Sequence, residues 1–193
     1  MFVLTVDQRG SRRDVDRVGE LIAGLGDHPL VRPFQRTAGD EVQAVAADAA
    51  TVVSLALELV VREHWSIGIG IGPVEEPLPA ETRAGRGPAF ESARTAVERA
   101  KSAPGRVAVE GPEPESAADA DTALTLVAVV VARRTEEGRE AVAQMRRGLT
   151  QTEAARALGI SKQAVSQRLA TAGWQVEIAG RRLAERLLRK ADR

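Results

Sequence analysis

The stretch "SIGIGIG", residues 66–72, alternates isoleucine with glycine at a period of two. This is the period of a β-strand, in which successive side chains point to opposite faces of a sheet. The isoleucines therefore share one face, and the glycines leave the other face bare. A strand interior without side chains marks a place where another backbone comes close. The stretch thus predicts a strand with one face prepared for close packing.

The segments around this strand alternate between strand-like and helix-like periodicity. Apolar and turn patterns predict the following elements: a strand at Phe2–Asp7, a helix at Arg13–Leu25, strands around Phe34 and at Val42–Val45 joined by a hairpin at Thr37–Asp40, a helix at Asp48–His64, a loop at 73–87, a helix at Pro88–Lys101 and a strand at Arg106–Val109. The predicted order is β-α-β-β-α-β, followed by a helix and a strand. This order predicts a ferredoxin-like or palm-type α+β sandwich, with helices on one face of an antiparallel sheet.

Length and composition limit the classes of protein to consider. The 193 residues can form one large or two small domains, and the absence of cysteine excludes disulfides and thiolate metal sites. The N-terminus lacks the features of a signal peptide. The longest apolar run, Ala123–Ala132, is shorter than the roughly 20 residues that a membrane helix needs. We therefore expect a cytoplasmic protein without a membrane partner.

Composition also divides the chain. The proline- and acid-rich stretch "EGPEPESAADAD" predicts a linker at 111–121 between an α+β domain, 1–110, and an all-helical region, 122–193. Residues 133–193 carry 14 Lys and Arg against 7 Asp and Glu. This imbalance indicates that the C-terminal end meets a polyanion, although arginine-rich solvated helix faces would give the same count.

The second decisive stretch is "GLTQTEAARALGISKQAVSQRLATAGW", residues 148–174. Thr150 is placed to cap a helix over Gln151–Leu158, and Gly159 suits a sharp turn. Ser161 is placed to cap a second helix that ends near Ala172. Small and apolar residues of both helices can share one core, formed by Ala154, Ala155, Leu158, Ile160, Val165 and Leu169.

The remaining residues of the second helix are of the types that contact base edges and phosphates. The pattern "LGISxxxVxxRL" resembles the helix-turn-helix of sigma factors and response regulators. The resemblance implies double-stranded DNA as the partner, with contacts from Thr150, Gln151, Ser161, Lys162, Gln163, Ser166, Gln167 and Arg168. Ser161, as a cap, is expected at a phosphate. The alternative is a helical hairpin that only packs against the first domain.

One such unit binds DNA weakly, and specific binding usually takes two units about 34 Å apart. We therefore expect a homodimer. Two apolar helical segments are candidates for the contact: Leu124, Leu126, Val127, Val129 and Val130 in the first, and Val176, Ile178, Leu183, Leu187 and Leu188 in the second. Either segment can equally belong to the core of one chain.

Two acids of the first domain fall at equivalent ends of predicted neighbouring strands. Asp7 ends the first strand, and Asp40 follows the hairpin turn. Two aspartates together with nucleotide phosphates form a usual Mg²⁺ site, and such ions serve phosphoryl transfer. A buried unpaired carboxylate at Asp7 would be costly, whereas Asp40 and Glu41 can also form a solvated hairpin tip.

The stretches "VLTVDQRGS", "TAGDEVQAV", "SIGIGIG" and "GRGPAFESARTAVERAK" resemble the SatD-like family and, more remotely, the palm of class III nucleotidyl cyclases and GGDEF enzymes. The resemblance implies that Asp7 and Asp40 are metal-binding acids, with Glu41 beside them. It departs from cyclases at Glu91, where an asparagine is typical, and at Arg94, which comes three residues later instead of four. The hairpin also lacks the full GGDEF signature.

These departures lower the expectation of turnover and favour a DNA-binding transcriptional regulator. Its degenerate palm would sense a nucleotide, held with Mg²⁺, or set the geometry of a dimer. The candidate ligand-binding residues are Asp7, Arg9, Gly10, Ser11, Asp40, Glu41, Arg86 and Arg94, with Arg83 and Gly87 in the same loop as Arg86. The alternatives are a Mg²⁺-dependent nucleotidyl cyclase or nucleotide hydrolase, and a scaffold without ligand in which the Gly/Arg loop is an exposed turn.

Overall fold

The structure is a computed structural model that describes residues 1–11, 15–25 and 28–193. Within these ranges, mixed strands and helices are followed by a run of helices. Their bounds are β1 (Phe2–Gln8), α1 (Val18–Gly24), β2 (Arg32–Arg36), β3 (Glu41–Ala46), α2 (Ala49–Val61), β4 (Trp65–Ile71), α3 (Pro88–Ala100), β5 (Val107–Glu110), α4 (Pro114–Ala132), α5 (Glu136–Arg146), α6 (Gln151–Leu158), α7 (Lys162–Thr171) and α8 (Trp174–Ala191). The order from β1 to β5 is the one the sequence predicts. The start predicted for the first helix, Arg13, lies outside the described residues.

The five strands form one mixed sheet in the order β2-β3-β1-β4-β5. Strand β1 lies in the centre and pairs antiparallel with β3 and with β4, whereas β5 runs parallel to β4. The expected fully antiparallel sheet is therefore wrong at this edge. The reason is that α3 crosses over between β4 and β5, and a helical crossover returns the chain to the end of the sheet where the preceding strand began.

The two faces of the sheet are covered by different helices. Ile67 and Ile69 of β4 point into the main core, which also contains residues of α1, α2, α4 and α8. On the opposite face, a Cβ atom added to Gly68 would lie 2.2 Å from the Val97 amide nitrogen, and one added to Gly70 would lie 2.0 Å from the Ala89 carbonyl oxygen. Close packing on the glycine face is confirmed, and it is α3 that packs there. The expectation of helices on one face only is wrong, because this bare strand accepts a helix as well.

The segment 111–121 is not an extended linker, since α4 begins within it at Pro114. Its alanines Ala117 and Ala120 are buried and most of its acids are exposed, but Asp121 is half-buried and accepts a bond from the Val109 amide at 2.7 Å. Proline and acid content suggested a linker, but proline is well tolerated in the first turn of a helix. Helix α4 continues into the main core with Leu124 and Val127, so this part of the apolar segment belongs to the chain's own interior.

The remaining helices, α5 to α7, form a separate small core beside α8. Its buried residues are Ala141, Val142, Ala154, Ala155, Val165, Leu169 and Ala172, with Met145, Leu158, Ile160 and Trp174 packed against them. No helix in the described part of the chain is both long enough and apolar enough to cross a membrane.

Candidate functional site

Local capping interactions define the start of α6, the turn that follows it and the start of α7. The Thr150 hydroxyl accepts a bond from the Glu153 amide at 3.3 Å, and the Glu153 carboxylate accepts one from the Thr150 amide at 2.8 Å. The two bonds form a capping box, and the bond from the Thr150 amide to the carboxylate holds the pKa of Glu153 below its usual range. Gly159 ends α6 in the left-handed conformation, with φ of 66°. The Ser161 hydroxyl then accepts from the Ala164 amide at 3.1 Å and begins α7. The predicted caps and turn are all confirmed.

Packing fixes which side of α7 is free. Val165 and Leu169 are buried against α5 and α6, as the sequence predicts for one shared core. Helix α5 is the part of this core that the sequence analysis did not single out. Its signal is Thr135, whose hydroxyl accepts from the Gly138 amide at 3.2 Å and caps the helix. The three helices therefore form one compact unit with a defined outer surface.

The predicted contact residues fall into two groups on this surface. Thr150, Ser161, Lys162, Gln163, Ser166 and Gln167 are exposed, and Gln151 is half-buried. Arg168 differs, because its guanidinium lies 3.2 Å from the Glu140 carboxylate of α5 and its side chain is only 28% exposed. Arg168 thus pairs with α5 and is half-buried, unlike the exposed contact candidates of α7.

A cleft of about 710 Å³ opens at the end of β1 where the predicted acids lie. Its lining residues are Asp7, Gln8, Arg9, Gly10, Ser11, Asp40, Ser66, Lys101 and Arg106. Asp7, Arg9, Gly10, Ser11 and Asp40 were predicted to act together, and the fold does bring them together. Among the described residues, the cleft has three basic side chains, Arg9, Lys101 and Arg106, and two carboxylates.

Several neighbours act on the Asp7 carboxyl group in this cleft. It lies opposite Glu41 of β3 and opposite Ser66 of β4 in the register of the sheet. Burial raises the pKa of Asp7, the Lys101 ammonium 3.6 Å away lowers it, and the neighbouring Asp40 raises it again, so the net direction is upward. Glu41 contributes only its charge, because its carboxylate accepts a bond from the Thr37 hydroxyl at 2.6 Å and it does not line the cleft.

Four residues of the cleft were missed by sequence reasoning: Gln8, Ser66, Lys101 and Arg106. Ser66 is fully buried, and within the described residues its hydroxyl has no hydrogen-bond partner. Lys101 caps the end of α3, and the Arg106 guanidinium donates to the Lys101 carbonyl oxygen. Basic residues at helix ends are common, so Lys101 gave no sequence signal for this cleft. Ser66, a polar residue at the start of the isoleucine–glycine stretch, could have been predicted as part of it.

Arg86 and Arg94 do not reach this cleft. Helix α3 begins next to the far end of β4, where the Ala89 amide donates to the Pro73 carbonyl at 3.1 Å. Arg86 precedes that point and Arg94 is exposed in the middle of the helix. Only the last turn of α3 arrives at Asp7. The assignment of these two arginines to the ligand site is therefore wrong, because α3 runs back along the sheet and presents Lys101 instead.

The chemistry of the donors fits one magnesium ion bound together with a phosphate. Asp7 and Asp40 offer hard carboxylate oxygens, and no group of three His, Cys, Asp or Glu side chains forms a closed metal site in the described residues. Mg²⁺ commonly takes one or two carboxylates and fills its other positions with water and phosphate oxygens. In such a site it would neutralise charge on a polyphosphate.

No protein-family model, no curated protein and no solved structure matches this chain. Two features of the described residues are candidate functional sites: the exposed face of α7 and the cleft at Asp7.

Proposed function

We propose that this chain is a DNA-binding transcriptional regulator of the SatD-like kind, in which α6 and α7 are a helix-turn-helix and α7 enters the major groove. The observation that carries the proposal is the exposed row of α7, Lys162, Gln163, Ser166 and Gln167, on a helix held by its own core. Recognition helices of this class contact base edges with the first turns of the second helix.

The charge and polarity of α7 support this role. The helix contains no acidic residue, and its N-terminus is capped by exposed Ser161. Unpaired amides and the helix dipole favour a phosphate at this end. Glutamine reads adenine, and lysine binds guanine or the backbone. The C-terminal excess of basic residues adds counterion-releasing contacts with phosphates.

The cleft at Asp7 gives the regulator a nucleotide sensor. Arg9, Lys101 and Arg106 are suited to phosphate oxygens, and Asp7 with Asp40 to an accompanying Mg²⁺. The Arg9 guanidinium donates to the Glu63 carbonyl at 3.1 Å, and the Glu63 carboxylate pairs with Arg139 of α5 at 2.5 Å. A phosphate that drew Arg9 inward would remove its bond to the Glu63 carbonyl, beside the Glu63–Arg139 pair that links this turn to α5. A coupling of about 1–3 kcal/mol would change DNA affinity about 5–150-fold. The same domain can alternatively act by setting dimer geometry.

The proposal is tested by selection and titration. Random-sequence duplexes are enriched on wild-type protein at low salt, and the product is titrated by fluorescence anisotropy with excess competitor DNA. Lys162→Ala/Gln163→Ala should weaken binding to the selected duplex about tenfold or more. The matched control, Gln175→Ala/Lys190→Ala, removes the same residue types from exposed positions of α8 and should bind like wild type. Failure to enrich any duplex, or equal binding by both double variants, would contradict the proposal.

A second candidate is a Mg²⁺-dependent nucleotidyl cyclase or nucleotide hydrolase. It is favoured by the joint presence in one cleft of Asp7, Asp40 and the Ser66 hydroxyl, which has no hydrogen-bond partner among the described residues. It is disfavoured by α3, because Glu91 and Arg94 do not line that cleft. Release of phosphate or pyrophosphate from ATP or GTP with Mg²⁺, lost in Asp7→Asn and retained in Lys162→Ala, would establish it.

A further inference from the structure

The outer face of α4 carries a stripe of residues that lies outside the buried core of the chain. Its residues recur at intervals of three and four, which places them on one side of the helix: Asp119, Thr122, Leu126, Val129 and Arg133. Leu126, in the centre, is 65% exposed, and Asp119 is 58% exposed at one end. The stripe is acidic at its N-terminal end, apolar in the middle and basic at its C-terminal end.

The other sides of α4 are already occupied. Leu124, Val127 and Val131 are buried in the main core, and Val127 also contacts α8, since a Cβ atom added to Gly180 would lie 2.3 Å from a Val127 methyl carbon. Val176 and Leu183 are further exposed apolar residues, on the helix α8 that packs against α4. Several exposed apolar residues on one helix pair are the kind of surface that marks an interaction site.

We propose that two copies of this chain pair through the α4 stripe, antiparallel, about a twofold axis close to Leu126. Asp119 and Arg133 each stand seven residues from Leu126, which corresponds to about 10.5 Å along the helix. Reversal about Leu126 therefore brings Asp119 of one copy to the partner's Arg133, and the same contact repeats at the other end. A twofold interface requires this kind of self-complementary surface.

The charges at the two ends are available for this contact. Asp119 has a solvent-exposed partner in its own chain, Lys190 at 3.8 Å, and exposed pairs of this kind contribute little. Arg133 is exposed and forms no ion pair with any residue that the structure describes. The pattern of acid, apolar centre and base matches its own reverse. DNA does not fit the stripe, because Glu115 and Asp119 would repel phosphates at its N-terminal end.

The interface extends the proposed function, since it would supply the two α7 helices that a specific operator needs. It can be measured without DNA, so its failure is distinguishable from failure of DNA binding. Sedimentation equilibrium of the full chain should give a dimer. Asp119→Arg and Arg133→Asp should each weaken the dimer about tenfold or more, because each sets like charges opposite one another. The double variant Asp119→Arg/Arg133→Asp should restore wild-type association.

A second measurement uses the absence of cysteine. Leu126→Cys should form a covalent dimer under mild oxidation, because the two thiols meet at the axis. Val15→Cys, at a position 64% exposed, is the matched control and should stay uncrosslinked. The proposal would be overturned by a monomeric wild type, by single variants that dimerise normally, by a double variant that is not restored, or by equal crosslinking of both cysteine variants.

Discussion

Arg134 and Glu177 form an ion pair with an N–O distance of 2.6 Å, and their side chains are only 2% and 1% exposed. The Arg134 guanidinium also donates to the Ala172 carbonyl at the end of α7, at 2.8 Å. The same Glu177 carboxylate binds Arg146 of α5 at 2.7 Å and Arg181 of α8 at 2.6 Å. One buried acid thus connects the ends of α4, α5 and α7 to α8, and so holds the α5–α7 unit on the rest of the chain.

Glu177→Gln should lower the free energy of unfolding by about 3 kcal/mol, because removing one partner of a buried pair leaves uncompensated charge. Here the uncompensated charges are those of the arginines gathered around the site. Urea denaturation at neutral pH measures the loss. The control Glu185→Gln removes a pair on the same helix whose arginine is exposed, and should cost at most about 0.5 kcal/mol. Equal losses in both variants would show that the buried ion pairs of Glu177 stabilise the fold no more than an exposed pair does.

The same residue predicts a pH dependence of stability. Burial raises the pKa of Glu177, but Arg181, Arg134 and Arg146 outweigh burial and lower it to about 2. An unfolded glutamate titrates near 4.3. Because the folded pKa is the lower one, the ionised carboxylate stabilises the fold above the unfolded pKa, and this stability is lost as the pH falls from about 5 towards 2. Urea midpoints across this range should fall more steeply for wild type than for Glu177→Gln, and parallel curves would refute the assignment.

The pKa of Asp7 is shifted in the opposite direction, upward. Burial raises its pKa despite Lys101, so the folded pKa lies above the unfolded one and ionisation disfavours the fold. Above its folded pKa, therefore, the carboxylate costs stability. Asp7→Asn should unfold at a higher urea concentration than wild type at neutral pH, as expected where a site residue is kept for function at the expense of stability. Asp16→Asn is the contrasting control, since Asp16 pairs with Arg36 at 2.6 Å in an exposed position and its pKa is lowered. Destabilisation by Asp7→Asn would instead mark Asp7 as a structural partner of Lys101.

Much of the fold follows from local patterns. The absence of side chains at Gly68 and Gly70 predicted that another backbone packs closely on this strand. The α6–Gly159–α7 turn was predictable because capping residues act within a few residues of one another. What escaped prediction depends on tertiary context. Helix α4 begins at Pro114, inside the predicted linker, and the burial of its alanines Ala117 and Ala120 appears only in the folded chain. The direction of β5 likewise depends on how α3 crosses the sheet.

The residues of the candidate cleft also divide into those that local sequence predicts and those that depend on tertiary structure. Asp7 and Asp40 were found because strand ends and hairpin turns are visible in sequence. Lys101 was not, because its arrival at Asp7 depends on the length and direction of α3 over the sheet. For the same reason Arg94, near Lys101 in sequence and identical in charge, does not line the cleft. Sequence spacing alone does not distinguish the two.

Gly70→Ala should destabilise the chain by about 1–3 kcal/mol or more, because its Cβ would lie 2.0 Å from a backbone oxygen of α3 that cannot move alone. The control Gly19→Ala makes the same chemical change in α1, where nothing lies within 4 Å of the added atom. It should be neutral or stabilise by up to about 1 kcal/mol, because alanine favours a helix. Thermal or urea unfolding compares them, and a tolerated Gly70→Ala would mean that α3 is not seated on β4 as described.

Lys162 and Gln163 are adjacent on the exposed start of α7 and should differ in kind when bound to DNA. Lys162→Ala should weaken binding to all sequences alike and reduce the slope of log affinity against log salt by about 1, because one phosphate contact is lost. Gln163→Ala should leave that slope unchanged and cost about 1–3 kcal/mol at its preferred base, with relaxed discrimination there. Arg168→Ala serves as a third variant: since Arg168 pairs with Glu140, it should lower stability without changing base preference. Anisotropy titrations at several salt concentrations, on the selected duplex and on single-base variants, separate these outcomes. An unchanged salt slope in Lys162→Ala would show that Lys162 does not contact the DNA backbone. It would favour the alternative in which the α6–α7 pair is only a packed helical hairpin.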